Sequence, residues 1–313
     1  MTYDPQSHGN DFLVGFVMNL KNVWQLLKTT FKEWQEDEAS LLAAALSYYT
    51  AVSIAPLLVV VIVAAGFVLN NQDTARQELL SQIQSAVGVQ GTEFVATIIE
   101  NADQPTAGTI AGLLSIATLL WGSTNLFSQL QDSLNKIWDV ERKAGSIWTT
   151  IRERFLSFTL VLGIGFLLLV SLLLSAVLSI VGNLFTDLLP GGEFLWQVVN
   201  FLISFGVITL LFGLIYKILP DAEIAWRDVW WGAAATALLF TIGKQLLGLY
   251  LANAGSSYGA AGSVVVFLIW VYYSAQILFL GAEFTQVYAT RYGAGIEPAK
   301  NALRTDEGMQ SAA

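Results

Sequence analysis

Long apolar runs separated by short polar segments dominate this chain. Six stretches approach or exceed the roughly 20 mostly apolar residues that a spanning helix needs. They run over about residues 41–69, 109–130, 155–185, 194–219, 229–253 and 261–288. The first and third are long enough to tilt or to project beyond a bilayer. Pro56 is expected to kink the first, because proline removes a backbone donor and crowds the preceding turn. The pattern predicts an all-α, polytopic membrane bundle of six transmembrane helices, with amphipathic helices before the first span and between the first two.

Residues 12–34 place Phe12, Phe16, Leu20, Val23, Leu27 and Phe31 at three- and four-residue steps, with Lys21, Lys28 and Lys32 among the polar positions. Such a helix suits a membrane interface, and packing against other helices suits it equally. Residues 74–100 are amphipathic through Leu79, Ile83, Val87, Phe94 and Ile98. Gly88 and Gly91 are expected to break them into two short helices. The resulting organisation is an N-terminal segment 1–38, a membrane domain 39–290 containing an extracytoplasmic helical loop at 70–106, and a disordered polar tail 291–313.

Orientation follows from Lys and Arg. Lys21, Lys28 and Lys32 precede the first span. Lys136, Arg142, Lys143, Arg152 and Arg154 follow the second, Lys217 and Arg227 follow the fourth, and Arg291, Lys300 and Arg304 follow the sixth. Arg76 alone lies in the alternate loops. This asymmetry predicts a membrane protein with both ends in the cytoplasm. Trp138, Trp148, Trp226, Trp230, Trp231, Tyr250 and Tyr288 fall near predicted span ends, as interface belts require.

Composition supports the membrane reading: 55% of residues are hydrophobic and 12% charged, against about 25% charged in soluble domains. The chain has no Cys, and its single histidine, His8, lies in the polar N-terminal segment. Thiol chemistry and zinc fingers are therefore excluded. The formal charge of −9 argues against a nucleic-acid partner, since phosphate contacts need clustered Lys and Arg. No phosphate-binding loop, zinc motif or Ser-His-Asp set is present. The expected catalytic, metal and cofactor sites are accordingly none, and the chain is not expected to be an enzyme. The acid clusters Glu36–Asp37–Glu38 and Asp221–Glu223–Asp228 read as solvated surface.

Charges inside spans are costly and usually face a bundle interior or a wet cavity. Lys244 lies ~22 Å above the start of the fifth span and Glu283 ~33 Å below the start of the sixth. These two are therefore at opposite depths. Lys217 shares the depth of Glu283, making Lys217–Glu283 the candidate intramembrane ion pair, with snorkelling of Lys217 as the alternative. Lys244 and Gln245 are candidates for a substrate path, together with Tyr49, Asn125, Tyr258 and Gly259. The last two lie in a small-residue segment, Gly255 to Gly262, that suits a tight turn or a re-entrant cavity wall.

Several motifs resemble those of the YihY/BrkB family of bacterial inner-membrane proteins, once labelled ribonuclease BN. They are Ala45-Leu-Ser-Tyr-Tyr-Thr-Ala-Val-Ser-Ile-Ala-Pro56, Leu130-Gln-Asp-Ser-Leu-Asn-Lys-Ile-Trp138, Tyr216-Lys-Ile-Leu-Pro220, Trp226-Arg-Asp228, Gly232-Ala-Ala, Tyr258-Gly-Ala-Ala-Gly-Ser263, Trp270-Val-Tyr272 and Gly281-Ala-Glu-Phe284. The resemblance covers roughly residues 20–290 and implies about six spans, a place in the bacterial inner membrane, and no settled activity. It adds weight to Lys217, Pro220, Tyr258, Gly259 and Glu283. The function expected is a permease-like or lipid-handling transporter without its own ATPase. A non-transporting scaffold of an envelope complex is the alternative, and a membrane-bound ribonuclease is the weakest reading. Membrane lipids are the expected partners, with a second copy of the chain or an envelope protein as further candidates.

Overall fold

The computed structural model describes residues 20–69, 71–102, 125–143, 192–254 and 262–305. Most of the second expected span, the whole of the third, and the Tyr258–Gly259 turn lie outside them. The described elements run α1 (Leu20–Glu36), α2 (Ala39–Leu69), α3 (Gln72–Ala102), α4 (residues 125–137), β1 (Val140–Arg142), α5 (Gly192–Ile218), β2 (Ala222–Ile224), α6 (Trp226–Ala254), α7 (Gly262–Tyr292), β3 (Ile296–Pro298) and β4 (Ala302–Arg304). Three stretches among them are long and apolar enough to cross a membrane: Gln197–Ile218, Trp226–Tyr250 and Gly262–Tyr292. A shorter apolar helical stretch, Ala39–Ile54, opens α2, which continues through Pro56 as one helix.

α7 is the axis of the bundle, with α1, α2, α3 and α6 packed on it. Its contact with α6 is built from small residues. Gly232 of α6 lies against Thr285 of α7, and Gly281 of α7 lies against Thr236 of α6. Farther along, Gly243 meets Tyr273 and Ile277. Numbers rise on α6 as they fall on α7, so the two helices are antiparallel. A Cβ at any of these glycines would occupy space already filled by the facing side chain, which is how small residues let membrane helices approach closely. Tyr216 of α5 locks the pair: its hydroxyl donates to the Leu278 carbonyl at 2.7 Å and meets the Thr236 hydroxyl at 3.0 Å.

α3 breaks as its glycines suggest, at one of the two. Gly88 has φ 80° and ψ 176°, a left-handed-side conformation that only glycine adopts without strain. Asn71 caps the first half by accepting the N–H groups of Asp73 and Thr74 through its side-chain oxygen. The second half packs through Val95 and Ile99 onto Leu58, Phe267 and Val271.

Two expectations need correction. The tail is not disordered over residues 291–305. β3 pairs antiparallel with β2 (Glu223 opposite Glu297), and β4 pairs antiparallel with β1 (Glu141 opposite Leu303). Each strand is only three residues long, too short to show an alternating pattern in the sequence. Trp138 does not belong to an interface belt. It is 2% exposed and packs edge-on against Tyr216. On α1, Leu26 and Thr30 are buried, whereas the stripe residues Leu27 and Phe31 are exposed beside Trp24. The helix thus packs on α7 while turning its apolar stripe outward.

Candidate functional site

Polar side chains gather at the end of the bundle where α5 finishes, α6 starts and α7 finishes. Pro220 halts α5, since it cannot supply the next helical N–H. The chain then presents Asp221 to three segments. Its carboxylate accepts Arg142 Nε and Asn135 Nδ2, each at 2.8 Å, Gln131 Nε2 at 3.2 Å and Asn301 Nδ2 at 2.9 Å. The Asp221 N–H donates to Asn135 Oδ1, and its carbonyl accepts the Ala299 N–H. Burial would push this carboxyl up. The hydrogen bonds from Arg142, Asn135 and Asn301, with the Arg142 charge, outweigh burial and hold it below its usual range. Asp228, 3% exposed in the first turn of α6, accepts the Ala294 N–H at 2.9 Å. These two acids, expected to be solvated, instead tie the loops to the tail.

A second acidic group is built differently. α1 ends and α2 begins across a tight turn in which Glu38 takes φ 55°, and Asp37 sits in that turn. Lys136 Nζ donates to the Asp37 backbone carbonyl. Arg291 near the end of α7 donates to the Thr29 hydroxyl of α1 at 2.8 Å. Eight residues further along α1, and eight residues back along α7, the Asp37 carboxyl meets that of Glu283. Glu283 is 1% exposed, and no N–H or hydroxyl among the described residues donates to either of its oxygens. Burial, then the Asp139 charge, pushes the Asp37 carboxyl up to about 6, with Glu33 adding and Lys136 and the Glu283 contact opposing.

The expected Lys217–Glu283 pair does not form. Lys217 donates to the Ile224 carbonyl at the end of β2, while Glu283 faces the α1–α2 turn. The two share a depth, but a helix also fixes the direction in which each side chain leaves it. Lys244 is half-buried on α6, Gln245 beside it is exposed, and no acid among the described residues forms an ion pair with Lys244. Tyr49 is half-buried on α2, edge-on to Tyr48, and Asn125 is half-buried in α4. Tyr49 lies ~15 Å along α2 from Ala39 and Lys244 ~27 Å along α6 from Trp226, so these two do not share a level. Tyr258 and Gly259 lie outside the described residues.

Sequence reasoning read Asp221 as solvated, and it passed over the pairing of Asp221 with Asn135 and Asn301 and the Tyr216–Thr236–Gly281 contact. A glycine within an otherwise apolar helix was the available signal for the latter.

The family described as virulence factor BrkB matches residues 30–306. A protein of Bacillus subtilis named as ribonuclease-like, YfkH, is 26% identical over 82% of this chain and 92% of its own length. Membrane proteins of the UPF0761 group are similar too. That of Psychromonas ingrahamii is 28% identical over 85% of this chain and 88% of its own, and that of Tolumonas auensis is 30% identical over 80% of each. No solved structure matches.

Proposed function

This chain is an integral membrane protein of the family described as virulence factor BrkB, and from that premise we propose a permease-like or lipid-handling transporter of the bacterial inner membrane without its own ATPase. The proposal includes six transmembrane helices with both ends in the cytoplasm. The Lys and Arg asymmetry of the loops supports that topology. The antiparallel packing of α6 on α7 agrees with alternate crossings.

Lys244 carries the functional reading. A cation within an apolar span is costly unless it faces a wet cavity, a partner or the interface. Lys244 is half-buried on α6 and has no acid paired with it among the described residues. A site that presents such a cation fits an anionic or amphipathic substrate, and a phospholipid headgroup meets both conditions.

The test is lipid movement in liposomes containing the purified protein, read with fluorescent phospholipids and an impermeant quencher. Wild type is expected to accelerate loss of inner-leaflet signal, and Lys244→Met to abolish the acceleration at equal protein content. If correctly inserted wild type gives no acceleration, the lipid reading is wrong. Transport of a soluble anion is then tested with the same pair of proteins. The name ribonuclease-like belongs to the YfkH relative, and no feature of the site favours that chemistry here.

A further inference from the structure

We infer that Glu283 and Asp37 form a proton-binding site that fastens the α1–α2 turn to the end of α7. The geometry leaves little else for Glu283 to bind. Glu283 is fully enclosed, and both its oxygens lack an N–H or hydroxyl donor among the described residues. The group it meets is another carboxyl, from the turn after α1. Two carboxylates in contact, one of them fully buried, do not both stay ionised. A hydrogen bond between them requires one proton, because an ionised carboxylate only accepts.

The surroundings strengthen this argument. From α1 the pair is faced by Glu33, and from the turn before β1 by Asp139. From α4 it is faced by Lys136, the positive group among these neighbours, whose ammonium already donates to the Asp37 backbone carbonyl. The neighbours are thus three acids, counting Asp37, against one lysine around Glu283. A metal ion is a poor alternative, since among the described residues no group of three or more ligands is arranged to hold one. The proton belongs to the pair and not to either member.

The binding step is simple. A hydronium ion gives its proton to the carboxylate pair and leaves as water, and the remaining carboxylate accepts the new O–H. Loss of that proton leaves two like charges in contact across the α1–α7 junction. On the other side of the junction, Arg291 and Thr29 supply a single hydrogen bond. Deprotonation therefore drives the turn away from α7, and protonation closes it. This latch operates whether or not the chain transports anything, so it can fail or succeed independently of Lys244.

The experiment is infrared difference spectroscopy of the full chain in lipid, titrated from about pH 10 to about pH 4, a range wide enough to remove the last proton of a coupled carboxyl pair. Wild type is expected to show a protonated-carboxyl C=O band that Glu283→Gln removes and Asp37→Asn shifts. Identical titration bands in wild type and in folded Glu283→Gln protein would overturn the site. If Glu283→Gln does not fold, Asp37→Asn carries the same test, and an unchanged band would overturn the site. The latch is read separately. The chain has no Cys, so Gln35→Cys and Thr290→Cys, both at exposed positions, accept one nitroxide label each. A distance distribution that is narrow at low pH and broad at high pH is expected, and Asp37→Asn should keep it narrow throughout. A distribution that does not change with pH would overturn the latch.

Discussion

Asn135 and Asp221 hold each other twice across 86 residues of sequence. Asn135 Nδ2 donates to the Asp221 carboxylate at 2.8 Å, and Asn135 Oδ1 accepts the Asp221 N–H at 2.8 Å. The side chain of one therefore satisfies both the side chain and the backbone of the other. Arg142, Asn301 and Gln131 complete the shell, so one carboxylate fixes the chain around the end of α4, the chain after α5, and the tail. Removing it leaves donors on three segments without an acceptor.

Asp221→Ala is expected to cost about 3–5 kcal/mol, the range for breaking a buried charge pair from one side. A fall in the thermal midpoint of the detergent-solubilised protein would report it. Asp221→Asn keeps the shape but offers Arg142 no charge, and should cost less than the alanine variant. Equal midpoints for wild type and Asp221→Ala would show that the network contributes nothing.

Truncation after Gly295 removes β3, β4 and Asn301 together. β1 and β2 then lose their partners, and the expected loss is about 2–4 kcal/mol, at roughly 1 kcal/mol per hydrogen bond. Limited proteolysis should cut near residues 140–143 and 222–224 in the truncated chain and spare them in the intact one. A disordered tail would predict no difference.

Gly281→Val places a side chain in the space of the Thr236 and Tyr216 hydroxyls. Overpacking of this kind costs about 1–3 kcal/mol or more, and here it also breaks the hydrogen bonds that Tyr216 makes. Gly232→Val should behave alike against Thr285. Gly248 on the same helix as Gly232 has nothing within 4 Å of an added Cβ. Gly248→Ala should therefore raise stability by about 0.5–1 kcal/mol through helix propensity. Thermal denaturation of the three variants separates close packing from propensity.

The dependence of stability on pH has a definite sign. Asp37 titrates at about 6 in the folded chain, above its ordinary 3.8, so between those values the folded state holds more protons. Stability then rises as pH falls from about 7 to about 4, by an amount on the order of 1–2 kcal/mol after allowance for partial exposure. Asp221 acts oppositely, because its carboxyl is held below the usual range. Its contribution is present above the unfolded value and is lost at more acidic pH. Asp37→Asn should flatten the first limb and leave the second.

How far the sequence could be read depended on the length scale of each feature. The 31-residue helix α7 and the break in α3 at Gly88 follow from long apolar runs and from a residue whose backbone freedom is visible in its identity. Depth along a helix was also legible, which is why Lys217 and Glu283 looked like partners. Rotation about the helix axis was not, and it sends Lys217 to the Ile224 carbonyl and Glu283 to Asp37. The Asp221 network brings together residues from separate polar segments, none of which carries a local pattern. Trp138 shows the same limit: its position near a span end suggested an interface, and its neighbour Tyr216 makes it core.

The two short ribbons give the order of synthesis a physical meaning. β1 and β2 emerge from the ribosome well before the strands that pair with them, and α6 and α7 are made in between. Until β3 and β4 follow, Asp221 lacks Asn301, and the edges of β1 and β2 stay open. The helices can enter the membrane in turn while this end waits for its closing strands. A nascent chain thus carries a built-in record of whether α7 has been completed, written in whether those edges are covered.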